Sequence, residues 1–128
     1  MNGKRYFLDT NAIVQLLAGN PDVADILQDA SHIFTAVICE LEFLAFPKLS
    51  QQDKRLLGEF IKRVTVIDVC SSDRRLKEKL LEFRATRKLK FPDAIIAASA
   101  SVHQCTLLTA DSQLLKIEGV STQQYHPM

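Results

Sequence analysis

The sequence predicts an α/β fold, a three-layer α/β/α sandwich around a central, mainly parallel sheet. Three observations predict it. Short β-branched or apolar runs alternate with stretches of helical periodicity along the whole chain. Elements in that alternation join most simply through right-handed crossovers, with helices on both faces of the sheet. The 128 residues, 47% hydrophobic and 24% charged, suit one domain (1–128) with one core.

Each element follows from its residues. Arg5–Leu8 reads as a first strand, and Asn11–Ala18 as a helix stopped by Gly19-Asn20-Pro21. Asp22–Ala30 is a second helix with Val23, Ile26 and Leu27 on one face. Ile33–Thr35 is a short strand, and Val37–Phe46 an apolar helix ended by Pro47. Ser50 and Asp53 resemble a capping box ahead of a helix marked by Leu56, Leu57, Phe60 and Ile61. Val64–Val69 is a strand, and Ser72–Lys88 a long helix with Leu76, Leu80, Leu81 and Phe83 inward. Pro92 opens a helix through Val102, as its fixed φ allows. Thr106–Thr109 is a strand, Leu114–Ile117 a helical turn, and Gly119–Thr122 leads into a last strand.

Composition narrows the function. A net charge of +1 is not that of a strongly basic nucleic-acid binder, so any grip on phosphate must be local. Cys39, Cys70 and Cys105 form no Cys-x-x-Cys pair, and His32, His103 and His126 stand at no zinc spacing from them. Three unpaired cysteines suit the reducing cytoplasm. No signal-peptide core fits before Asp9, and no run of about 18 apolar residues offers a membrane span.

Most acids lie beside Lys or Arg on amphipathic helices, where a solvated face explains them. Four do not. Asp9 ends the first strand; it either caps the next helix or holds something positive, and Asn11 offers an alternative cap. Glu42 lies inside TAVICELEFLAFP with no basic residue three or four places on, and Glu40 is its rival. Asp93 falls in the first turn of PDAIIAASA, a favourable place for a helix dipole. Asp111 falls in LLTADSQLL, where an aspartate also suits a turn. In a parallel sheet, Asp9 and Asp111 both lie beyond carboxyl ends of strands, where ligands bind. Two carboxylates about 4 Å apart repel by about 4 kcal/mol at an effective dielectric of about 20. Four together call for a hard divalent cation, Mg²⁺ or Mn²⁺, rather than zinc, since no His or Cys joins them.

The segments FLDTNAIV, TAVICELEFLAFP, KFPDAIIAASA and LLTADSQL, in that order, resemble the PIN-domain nucleases, in particular the VapC-type ribonuclease toxins of prokaryotic toxin–antitoxin pairs. The resemblance runs from about Phe7 to Leu115. It implies that Asp9, Glu42, Asp93 and Asp111 are the catalytic and metal-binding acids, with Glu42 rather than Glu40 as the glutamate. Asn11 and Thr109 match the polar companions of that site. Ala45 departs from the pattern, since a glycine often stands there. The implied activity is Mg²⁺-dependent (or Mn²⁺-dependent) hydrolysis of RNA phosphodiester bonds by a cytoplasmic homodimer, blocked by a cognate antitoxin. Asn11 is expected to support Asp9, and Thr109 to orient water or Asp111. Arg84, Arg87, Lys88 and Lys90 form a basic run before Asp93 that either complements the helix end or steers RNA.

Other readings are a PIN-like binding module without catalysis and a housekeeping PIN nuclease without an antitoxin. A haloacid-dehalogenase-type phosphatase needs Asp-x-Asp after its first strand, and Asn11 stands at the second acid's position.

Overall fold

A computed structural model describes residues 3–128; Met1 and Asn2, the first two positions of the expected domain, lie outside the described residues. Five strands, β1 (Lys4–Leu8), β2 (Ala30–Ala36), β3 (Thr65–Ile67), β4 (Thr106–Thr109) and β5 (Ser121–Gln124), form one sheet in the order β3-β2-β1-β4-β5. Every pairing is parallel. Central β1 buries Phe7 and Leu8 completely, and its neighbour β4 buries Leu107, Leu108 and Thr109. A strand buried on both faces needs such a run, with no polar alternation.

Helices flank the sheet. One group is α1 (Thr10–Leu17), α2 (Pro21–Ile26), α3 (Val37–Leu44) and α4 (Gln51–Lys62), with α1 packed on the other three. The other is α5 (Arg74–Arg87) packed on α6 (Phe91–Val102), which contacts β2 and β4; the short α7 (Ser112–Leu115) lies against β5. Caps set most of the starts. Asn20 caps α2 ahead of Pro21, Asp73 caps α5, and Ser50 with Asp53 forms the capping box of α4.

Four expectations shift. The helix expected to run from Asp22 to Ala30 stops at Ile26 and tightens into a 3-10 turn, Leu27–Asp29. Ala30 instead opens β2, which is longer than Ile33–Thr35 because it pairs with β1 from Lys4 onward. Strand β3 is shorter than Val64–Val69: it is an edge strand bonded to β2 at three positions, and Val69 beyond it is 50% exposed. Leu81 points outward at 59% exposure, while Leu76, Leu80 and Phe83 are buried. Leu76, Leu80 and Phe83 recur at i, i+4 and i+7, whereas Leu81 is about 140° round the helix from Leu76.

This order creates a switch point. From β1 the chain moves outward through β2 and β3, then crosses to β4 on the other side and on to β5. The crevice beyond the carboxyl ends of β1 and β4 is where an open parallel sheet places its ligand.

Candidate active site at the strand switch

Asp9 leaves β1 directly into that crevice. Leu8 pairs with Leu108, which sets Asp9 opposite Thr109. The Thr109 hydroxyl donates to Asp9 Oδ2 at 2.5 Å, across 100 residues of chain. Asp9 Oδ1 accepts from the Ala12 amide at 2.8 Å and so caps α1. Capping and facing the crevice are therefore not alternatives for Asp9, because each oxygen takes one task. Asn11 does not replace it as cap. It is exposed, lines the cleft, and makes no side-chain hydrogen bond to Asp9 among the described residues. The support expected from Asn11 comes from Thr109.

Glu42 reaches the same place from α3. The Thr10 hydroxyl donates to Glu42 Oε1 at 2.6 Å. Glu40, about 200° away on the helix, does not line the cleft. Helix α3 ends at Ala45 with φ −83 in the right-handed region, so no glycine is needed there. Asp93 enters from the first turn of α6, behind Pro92. Asp111 caps α7: its Oδ1 accepts from the Gln113 and Leu114 amides. Its own amide donates to Thr109 Oγ1 at 3.0 Å. Thr109 thus ties the β1 acid to the β4 acid.

The cleft has a volume of about 260 Å³ and is lined by Asp9, Asn11, Glu42, Asp93 and Asp111, with Phe46 among its apolar walls. Four carboxylates distant in sequence share it. Burial pushes the Asp9 carboxyl from 3.8 up to about 6; the Thr109 and Ala12 hydrogen bonds pull it down, and the charges of Asp111 and Asp93 push it further up. Burial also raises Asp93, followed by the charges of Asp111 and Glu42, against the opposing pull of Lys90. A cleft whose burial and crowded carboxylates disfavour the negative charge of Asp9 and Asp93 is chemically suited to a cation.

The donors are all oxygen, which fits Mg²⁺ or Mn²⁺. Among the described residues no three or more His, Cys, Asp or Glu side chains are gathered tightly enough to hold an ion by themselves.

The sequence alone does not single out Thr10. It is 8% exposed and follows Asp9 at the first position of α1. Only the packing of α3 against α1 reveals its bond to Glu42. The basic run also divides. Arg84 donates to the Leu89 carbonyl at 2.6 Å, and Arg87 pairs with Glu118 at 3.1 Å. Lys88 and Lys90 form no ion pair among the described residues.

Comparison with known proteins places this arrangement. A family model for the PIN domain matches residues 6–120. A search of curated proteins finds no match. Among solved structures the chain is similar to a toxin–antitoxin complex from Klebsiella pneumoniae, at 26% identity and TM-score 0.76, over 91% of this chain and 96% of that one. It is also similar to VapBC2 from Rickettsia felis bound to a promoter DNA fragment, at 19% identity and TM-score 0.79, over 95% and 99%. DNA-bound VapBC from Salmonella typhimurium matches at 21% identity and TM-score 0.74, over 94% and 98%. At such identities the last two speak for the fold alone. With its order of strands, its acidic crevice and a family match over most of its length, the chain belongs to the PIN domain family.

Proposed function

We propose that this protein is a metal-dependent endoribonuclease that hydrolyses RNA phosphodiester bonds and acts as the toxin of a toxin–antitoxin pair. The convergence of Asp9, Glu42, Asp93 and Asp111 on one cleft carries the reading. The family supports nuclease chemistry, and the likeness to toxin–antitoxin complexes supports the pairing. The protein would work in the cytoplasm as a homodimer; among its described residues no helix is long and apolar enough to cross a membrane.

Asp9 and Asp93 would hold Mg²⁺ or Mn²⁺, directly or through water, with Asp111 completing the set. When bound, the ion would offset charge on the phosphate and make a coordinated water more acidic. Glu42 accepts a proton from the attacking water in this scheme. Thr10 occupies its Oε1, and Oε2 has no hydrogen bond among the described residues. Thr109 holds Asp9 in place. The same charge logic describes inhibition, since an arginine from the cognate antitoxin entering the cleft would supply the missing positive charge.

The test is cleavage of labelled RNA in Mg²⁺ and in Mn²⁺ by the parent and by Asp93→Asn. Cleavage should require the ion and fall by at least about a hundredfold in the variant, the scale of losing about 2.7 kcal/mol of transition-state stabilisation. Equal activity in both, or activity in neither, sinks the proposal.

A further inference from the structure

Asp9 and Glu42 reach the cleft from different elements, and one dipeptide ties them together. The chain turns from β1 into α1 at Asp9 and Thr10, and both residues line the cleft. Asp9 is held by the Thr109 hydroxyl and the Ala12 amide. Thr10, the next residue, donates to Glu42 Oε1 on α3, 32 residues away. Among the described residues the Glu42 carboxylate has no other hydrogen bond and no ion pair.

The tie is stiff at one end and loose at the other. Thr10 is buried, and a β-branched side chain has few χ1 rotamers. Asp9 already caps α1, so the Thr10 hydroxyl is not drawn off to a helix amide. Glu42 is half-buried, and its longer side chain would sample many rotamers if left alone. The bond to Oε1, at 2.6 Å, anchors the head group. Oε2 is anchored with it, since both oxygens belong to one planar carboxylate.

We propose that Thr10 is a positioning residue for cleavage: it holds the free oxygen of Glu42 in fixed relation to Asp9. This rests on the nuclease reading above, in which Asp9 holds the ion and Glu42 takes the proton. Thr10 acts through Glu42 rather than on the substrate. A carboxylate ordered before substrate arrives does not have to find one rotamer among many when the proton moves. The role needs the hydroxyl and not the methyl.

The experiment compares the parent with Thr10→Val, Thr10→Ala and Thr10→Ser, and places the first two also in a Glu42→Ala background. In Mg²⁺-dependent cleavage of labelled RNA, Thr10→Val should lower kcat about 10- to 100-fold, the scale of a misplaced reacting group, with KM within about threefold of the parent. Thr10→Ser should bring kcat back to within about threefold. The rise in melting temperature on adding Mg²⁺ should be the same in Thr10→Val as in the parent. Without metal, Thr10→Val should lower the melting temperature by at least about 3 °C more when Glu42 is present than in the Glu42→Ala background, because only then is a carboxylate left unpaired. A purely structural role would lower it equally in both backgrounds. Thr10→Ala gives the same readings should the valine variant not fold. Parent-like kcat in the valine and alanine variants, or equal losses of stability in both backgrounds, overturns the positioning role and leaves the nuclease reading standing as long as the parent cleaves. Absence of cleavage by the parent in both Mg²⁺ and Mn²⁺ overturns the nuclease reading, and the role of Thr10 in cleavage with it.

Discussion

At the scale of single residues, Asp9 concentrates the tension in the site. Its carboxyl titrates at 3.8 when unperturbed and at about 6 in the folded chain. Below 3.8 both states hold the proton and burial imposes no ionisation penalty. Between 3.8 and 6 the unfolded chain ionises first, so the native state binds more protons and stability falls as pH rises. Above 6 the loss levels off at about 3 kcal/mol, since each pH unit between the two values costs about 1.4 kcal/mol. Asp9→Asn should therefore raise the metal-free melting temperature at pH 7.5, by up to roughly 9–15 °C, and flatten its decline between pH 4 and 6. A lower melting temperature with an unchanged pH slope would refute this. Thr109→Val removes a donor that pulls Asp9 down and an acceptor for the Asp111 amide. Metal binding needs the ionised acid, so in this variant the pH at which Mg²⁺ stops raising the melting temperature should move upward. An unmoved midpoint would show that Thr109 does not tune Asp9. The sequence makes Asp9 suspicious by its place after an apolar strand, but Thr109 and Thr10 gain their roles only through partners 100 and 32 residues away.

At the scale of elements, local rules account for most starts and fewer ends. The Ser50 capping box is legible because both of its partners lie within one turn, and both bonds form. Ser50→Ala should cost about 1 kcal/mol and lower the melting temperature by roughly 3–5 °C with cleavage unchanged. A matching loss of activity would mean that α4 reaches the cleft. Helix α5 separates pattern from composition. Leu80 is 7% exposed and Leu81 is 59% exposed, although they are neighbours of one residue type. Leu80→Ala should cost about 2–5 kcal/mol, and Leu81→Ala less than about 0.5 kcal/mol. Similar losses, measured by denaturant unfolding, would contradict the packing of α5 on α6. The end of α2 and the reach of β2 were not legible, since Ala30 joins a strand only because Lys4 lies opposite it.

At the scale of the whole molecule, the cleft gathers carboxylate repulsion that a bound cation would relieve. Mg²⁺ or Mn²⁺ at about a hundred times its Kd should stabilise the fold by about 2.7 kcal/mol. Asp93→Asn should show a smaller rise in melting temperature, and an equal rise would remove Asp93 from the ion's ligands. Local residue patterns by themselves determined the alternation of strands and helices, the helix caps, and the four acids set apart from the charged faces of amphipathic helices. Those features depend on contacts within a turn or on a repeat of two or 3.6 residues, and the chain carries them wherever it goes. The tertiary structure decided that β1 lies between β2 and β4, that Leu8 meets Leu108, and that Glu42 rather than Glu40 shares the cleft with Asp93. Strand order and register are chosen by burying the entire core at once, a sum over distant contacts that no single segment contains.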